Sequence, residues 1–308
     1  MTISNLSAVY IPLISWTGVG WFLGRLLPPS IPAHVGKFLF WIGIPIGIVA
    51  FLRHTQLSLA LWIAPVVAWA AMLAGVGLAW WISRWKKKHH SWNHRAQGSF
   101  LLASMVGNTG YIGFPVSLAL VGPQYFAWAL FYDLLGSTPG AYGLGVALAS
   151  RFGQGQTQNP WEPLQAMIKN PALWSFGIGL ACRNLPLPEL VENSLRGLAW
   201  FVVSLSLVLA GMRLSQLSSF RYIKPALIGV GIKMLLVPLV LGTILWWSGI
   251  TGMTHRVILL QMAMPPAFAT LVIAEAYELE QELAVTALAI GSLGLLVLLP
   301  FWFWLFRG

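Results

Sequence analysis

Two apolar stretches of this chain are interrupted near their middles by helix-breaking residues, and the interruptions fall at matching places in its two halves. The first reads GNTGYIGFP at 107–115, inside an apolar stretch of about 97–121; the second reads MPP at 264–266, inside one of about 257–276. A straight membrane anchor gains nothing from such breaks. Opened backbone at membrane depth leaves amides and carbonyls unpaired, which is tolerated only where it lines a cavity or faces other protein. Paired broken helices in two halves are therefore the sequence mark of a solute site near the bilayer midplane.

The rest of the chain reads the same way. Hydrophobic residues make up 57% and charged ones 8%, against about a quarter charged in an ordinary soluble domain. Ten apolar stretches approach or exceed the ~20 residues needed to cross the bilayer core: about 7–27, 37–52, 58–83, 97–121, 124–150, 171–185, 196–212, 222–247, 256–277 and 283–305. The first follows an uncharged start with no small-residue cleavage pattern after it, and reads as a retained helix. A single cysteine, Cys182, leaves no internal disulfide and no cysteine metal cluster.

The net charge of +10 would suit nucleic acid, but its placement argues for a bilayer. Loops after the odd-numbered spans hold twelve Lys or Arg, those on the other side five, and Lys233 lies within a span. This asymmetry places the odd loops in the cytoplasm and both termini outside a plasma (inner) membrane. The run RWKKKHH at 84–90 then reads as a topology anchor at anionic headgroups, with no folded basic surface around it for a nucleic acid.

An internal repeat is legible. Arg53-His-Thr-Gln-Leu-Ser recurs as Arg213-Leu-Ser-Gln-Leu-Ser, each followed seven residues after its serine by a proline, Pro65 and Pro225. Gly18-Val-Gly20 is echoed by Gly177-Ile-Gly179, and Gly75-Val-Gly77 by Gly229-Val-Gly231. The expected organisation is a first five-helix repeat over 1–151, a polar cytoplasmic linker over 152–169, and a second repeat over 170–308. Five is odd, so the second copy is inverted.

At the breaks, Gly107 and Gly110 let the backbone leave helical geometry, Asn108 and Thr109 supply polar side chains, and Pro115 disfavours helix at Phe114. Pro265 and Pro266 delete two amide donors and force Met264 extended. Half-helix ends present free N–H groups that suit a carboxylate. Glycine and proline also serve as plain packing kinks in membrane helices; their matching place in two repeats favours the site reading.

Charges at membrane depth are few. Asp133, the chain's only aspartate, lies ~13 Å into the fifth span, and Lys233 lies at similar depth in the eighth. Two readings stand: a structural Asp133–Lys233 ion pair, or Lys233 snorkelling alone; and a functional one, with Asp133 binding a coupling proton or sodium ion and Lys233 balancing charge. Glu275 follows the second break and, beside Glu278, Glu280 and Glu282, reads as an interfacial acid more readily than an ion ligand. The six histidines form no metal-binding pattern. Trp80, Trp81, Trp85, Trp246, Trp247, Trp302 and Trp304 fall near span ends, as in a headgroup-level aromatic belt. Arg53 and Arg213 are expected at equivalent corners, holding carbonyls at a helix C-terminus.

GNTGYIGFPV in the fourth span, Phe131-Tyr-Asp133 in the fifth, and MPPAFATLVIAEAYELEQELA from the ninth onward resemble the auxin efflux carrier family of membrane transport proteins, in its short prokaryotic form. The resemblance runs through essentially the whole chain. It implies an all-α polytopic membrane protein of ten transmembrane helices in two inverted repeats, with crossing broken helices 4 and 9, as in bile-acid-symporter-like and NhaA-like crossover folds. Spans 1, 2, 6 and 7 would be a scaffold, and spans 3–5 and 8–10 a transport domain working by elevator-like alternating access. Gly107, Asn108, Thr109, Gly110, Tyr111, Met264, Pro265 and Pro266 would line the substrate site. Plant members carry Asn-Pro where this chain has Gly107-Asn108, and prokaryotic relatives are associated with small carboxylates such as malate. The implied activity is export of a small organic anion, a carboxylate or auxin-like compound, without a cofactor, by a protein expected to be a homodimer. A sodium-coupled importer resembling bile-acid symporters is the second reading. An intramembrane enzyme would need a catalytic pair that the spans do not offer, and a membrane sensor would need an appended soluble domain to carry a signal.

Overall fold

A computed structural model of the chain describes residues 3–306 apart from 54, 56, 88–92, 154–160, 162–164, 166, 167 and 216–220. Part of the basic run at 84–90, most of the linker, and Gln216, Leu217 and Ser218 of the repeated hexapeptide thus lie outside the described residues. The described residues form helices joined by short connections, with no strand among them. In chain order the helices are α1 (Ile3–Leu26), α2 (Ile31–Leu52), α3 (Ile63–Lys87), α4 (His94–Met105), α5 (Thr109–Val121), α6 (126–152), α7 (Pro171–Ala181), α8 (Glu189–Ser215), α9 (Ile223–Trp247), α10 (Gly252–Met262), α11 (Phe268–Ala276) and α12 (Gln281–Leu305). Among the described residues five stretches are long and apolar enough to cross a membrane: Ile31–Leu52, Leu59–Trp85, Glu189–Ser215, Ile223–Trp247 and Gln281–Leu305. The fourth and ninth expected spans are each divided, into α4 and α5 and into α10 and α11.

Prolines explain an irregularity that recurs in these helices. Wide π turns occupy Leu39–Gly43, Thr109–Gly113, Asp133–Ser137, Ala141–Gly145 and Ile232–Leu236, and all but Ala141–Gly145 are followed two residues later by a proline: Pro45, Pro115, Pro139 and Pro238. A proline ring collides with the carbonyl four residues before it; widening the preceding turn relieves the collision while keeping the backbone bonded. Ile44, Thr138 and Val237 accordingly donate five residues back, to the carbonyls of Leu39, Asp133 and Ile232. Pro139 has no N–H to offer Leu135, whose carbonyl instead accepts from the Trp69 indole at 3.2 Å.

The chain divides into two compact units. The first comprises Met1–Ser58, Gly110–Leu130 and Asn170–Leu217. Here α1 lies along α8 through small residues: a side chain at Gly20 would collide with the Val208 backbone, one at Gly24 with Met212, and one at Gly211 with Thr17. Close backbone approach of this kind supplies packing where lipid removes the hydrophobic drive. Phe51 meets Trp200 and Phe126 edge-on, at 5.3 and 5.5 Å between centroids. Arg53 donates to the carbonyls of Cys182 and Leu185, just past α7, and to Glu192 at 3.3 Å, so its expected role at a helix end is what its geometry shows.

The second unit comprises Leu59–Thr109, Phe131–Lys169 and Ser218–Gly308. Helix α3 packs on α4 and α6, where Gly75 admits the Ser104 carbonyl, Gly136 admits Ala68, and Gly140 admits Met72. A buried Gln97 amide donates to Ser83 Oγ at 2.8 Å, which in turn donates to the Trp80 carbonyl. Trp302 departs from the expected belt: it is 1% exposed and stacks on Phe306, because its side of α12 turns inward. Trp81, Trp85, Trp247 and Trp304 are outward-facing.

Candidate functional site

The two breaks find each other. Helix α4 ends at Met105 and α10 at Met262, and the segments that follow pair antiparallel through a bridge between Gly107 and Pro266. Asn108 N–H donates to the Pro265 carbonyl at 2.7 Å, and Ala267 N–H donates to the Val106 carbonyl at 3.0 Å. The prolines set this register. Neither can donate, so the first N–H the second segment can offer after Met264 is that of Ala267, and the acceptor it presents to Asn108 is the Pro265 carbonyl. Extended backbone at Val106 (φ −94°, ψ 120°) delivers the first segment to it.

Around this pairing the approach is close. A Cβ at Gly107 would sit 2.9 Å from Lys233 Nζ and 3.4 Å from the Met264 carbonyl, so only glycine fits without displacement. A Cβ at Gly291 of α12 would sit 2.7 Å from Pro266 Cδ and 2.9 Å from Pro265 Cβ. Met264, Pro265 and Pro266 are buried, backed by α12.

The two membrane-depth charges serve different breaks. Lys233 is 3% exposed and donates to the carbonyl of Met262, the last residue of α10, at 2.6 Å; a cation there satisfies a terminal carbonyl and opposes the negative end of the helix dipole. Asp133 accepts from the Thr109 hydroxyl, and the Thr138 hydroxyl lies 3.5 Å from its other oxygen. Among the described residues no ion pair joins Asp133 to Lys233, so the structural pairing open to the sequence is not the one formed. Lys233 does not snorkel either, since its ammonium is held inside by the α10 terminus. Glu275 is exposed on the last turn of α11.

Asn108 is 3% exposed, and its amide nitrogen Nδ2 is buried with no hydrogen-bond partner among the described residues. Thr109, 2% exposed, has its hydroxyl committed to Asp133. Gly110 and Tyr111 fall in the other unit, where the Tyr111 hydroxyl points at the Gly36 carbonyl from 3.5 Å. The expected substrate set is therefore brought together only in part: Gly107, Asn108, Thr109, Met264, Pro265 and Pro266 share one unit with Asp133 and Lys233. Thr138, Trp69 and Gly291 were missed from sequence. Thr138 carried a signal, a hydroxyl in the fifth span just before a proline and five residues after the lone aspartate; Gly291 carried none beyond being a glycine.

The sequence is similar to those of membrane transport proteins. Residues 163–303 match the family model described as membrane transport protein. An uncharacterized transporter of Methanocaldococcus jannaschii is 29% identical over 214 residues, covering 68% of each chain. Another, of Methanothermobacter thermautotrophicus, is 26% identical over 223 residues, 71% of this chain and 70% of its own. These relatives are named as transporters rather than enzymes. With its apolar helices and paired breaks, this chain has the make-up of a membrane-embedded protein and is similar to membrane transport proteins over residues 163–303 and to two archaeal transporters over about two thirds of its length.

Proposed function

We propose that this protein is a secondary active transporter that exports a small organic anion, a carboxylate in the first instance, by elevator-type alternating access. The observation that carries this reading is the Asn108 side-chain amide: a buried donor without a partner among the described residues, on a broken segment locked to its counterpart, in a chain similar to membrane transport proteins. Leaving such a group unsatisfied costs ~1–3 kcal/mol, a cost that an acceptor atom on a bound solute would offset. The second break offers prolines and apolar neighbours, so it contributes shape and backbone while Asn108 contributes recognition.

Two further features support the finer architecture. The repeated Arg-x-x-Gln-Leu-Ser begins at Arg53 after α2 and at Arg213 within the last turn of α8, and both breaks occupy the corresponding span of each half. Ten spans in inverted repeats follow from that register, and the loop charges orient them in the plasma (inner) membrane with both termini outside. The test is counterflow of radiolabelled mono- and dicarboxylates into proteoliposomes preloaded with the same compound. Wild type accumulates label for at least one carboxylate, and Asn108→Leu, still folded by melting temperature, loses it. Absence of counterflow for every carboxylate tried, or full flux in Asn108→Leu, would refute the reading.

A further inference from the structure

We propose that His255 is an acid-sensitive latch, holding the half-helix α10 against α9 while its imidazole is neutral and releasing it when the ring takes a proton. The ring is 0% exposed, and its Nε2 lies 2.9 Å from the Gly242 carbonyl of α9. A carbonyl only accepts, so Nε2 carries the hydrogen. The other nitrogen, Nδ1, is then a bare acceptor, buried and without a hydrogen-bond partner among the described residues. Trp246 of α9 stands near-perpendicular to the ring at 5.6 Å between centroids, and Phe306, just past α12, lies 4.7 Å away. Gly242 makes room for this meeting of three helices: a Cβ there would sit 2.8 Å from Leu259 Cδ1 of α10 and 3.4 Å from Phe306 Cζ.

Nothing around the seated ring receives a proton. At Nδ1 it would turn an acceptor without a donor into a donor without an acceptor, and add a charge. Helices α3, α9 and α12 pack on α10, and the charged residues of α3, α9 and α10 are all cations: Arg84, Lys86 and Lys87 in the last turn of α3, Lys224 and Lys233 on α9, and Arg256 beside His255 with its guanidinium 5.8 Å from the Phe303 ring. Helix α12 carries Glu282, but in its first turn, at the opposite end from Phe306. An uncompensated buried charge is costly, so the ring charges by leaving its seat. Below about pH 6.5, where a free imidazole takes a proton, the opened α10 binds a proton that the seated one does not, and acid favours opening.

The latch bears on the second break because α10 is tied to α9 at two points. Lys233 holds the carbonyl of Met262, its last residue, and His255 holds Gly242 seven residues earlier, ~10 Å along the helix. Losing the His255 bond leaves α10 anchored by its last residue alone, and the helix that delivers Met264, Pro265 and Pro266 to the first break is no longer aligned along α9.

The test needs no solute, so the latch and the carrier reading stand or fall separately. Melting temperatures of the detergent-purified full chain and of His255→Gln, whose amide nitrogen can take the place of Nε2 and does not titrate, are compared from about pH 7.5 to about pH 5, spanning the imidazole range. Over that interval the difference between the two should move against the wild type by about 3 °C or more. The other histidines are common to both proteins and cancel. A difference independent of pH, or one that moves in favour of the wild type in acid, would overturn the proposal. Should His255→Gln fail to fold, hydrogen exchange of the wild type decides: opening at the amides of 256–260, corrected for the intrinsic exchange rate, should rise about 10-fold or more over the same interval while that of 287–295 in α12 holds. Unchanged opening in α10, or an equal rise in both segments, refutes the latch.

Discussion

Gly291 offers the sharpest test of how the second break is held. An alanine there places a methyl 2.7 Å from Pro266 Cδ and 2.9 Å from Pro265 Cβ, whereas carbon atoms rest at ~3.5–4.0 Å. One side must move by about 0.8 Å. The proline rings cannot turn away, and their segment is pinned to the first break by bonds of 2.7 and 3.0 Å. Overpacking of this kind costs ~1–3 kcal/mol. The same substitution also removes a glycine from a helix interior, a gain of up to ~1 kcal/mol, which would blur a single measurement. Gly294 supplies the control: it lies one turn along α12, and a Cβ there meets nothing within 4 Å. The propensity gain is common to both positions, so the collision appears in the difference. Gly291→Ala should unfold at lower temperature than Gly294→Ala by the equivalent of ~1–3 kcal/mol, several degrees at ~2–4 °C per kcal/mol. Thermal melts of the two variants in one detergent decide it. Equal stability would mean that α12 does not brace the prolines and that the close contact is not a constraint.

Two smaller predictions follow from local geometry. Trp69→Phe removes the indole donor to Leu135 and should cost about 1 kcal/mol; in a Pro139→Ala background, where residue 139 regains an N–H, the loss should shrink, and strict additivity in the double-mutant melts would refute the compensation. Glu278 follows α11 with φ 52°, in a closing turn where Leu279 N–H donates to the Ala274 carbonyl at 2.7 Å. Glu278→Gly should relieve ~1–2 kcal/mol of left-handed strain and forfeit an exposed pair with Arg95 at 3.6 Å worth ~0–1 kcal/mol, so its melting temperature should rise or hold; a fall would count against the strain.

Legibility in the sequence followed the range of each interaction. The membrane class was plain because one-residue transfer energies sum along each span. The breaks were plain because glycine and proline act on their own backbone, and the π turns other than Ala141–Gly145 were legible in principle for the same reason, each lying just before a proline. Arg53 was read correctly as a corner residue, but its acceptors past α7 required the fold. Asp133 and Lys233 show the limit most clearly. As the two buried charges of opposite sign they looked like each other's partner, yet one is taken by the Thr109 hydroxyl of the first break, with Thr138 of its own helix nearby, and the other by the carbonyl end of α10. Depth along a span says nothing about which neighbour lies at that depth.

What this sequence determined by itself is therefore one-dimensional: which segments are apolar enough for lipid, where their helices must open, and that the openings recur in two copies. Tertiary structure alone decided that the openings pair through the Pro265 carbonyl and Ala267 N–H, that Gly291 and Lys233 press against them, and that the Asn108 side-chain nitrogen is left buried with no partner among the described residues. The reason is that hydrogen bonds and close contacts between distant segments depend on where backbones are brought in space, and composition and periodicity carry no record of that.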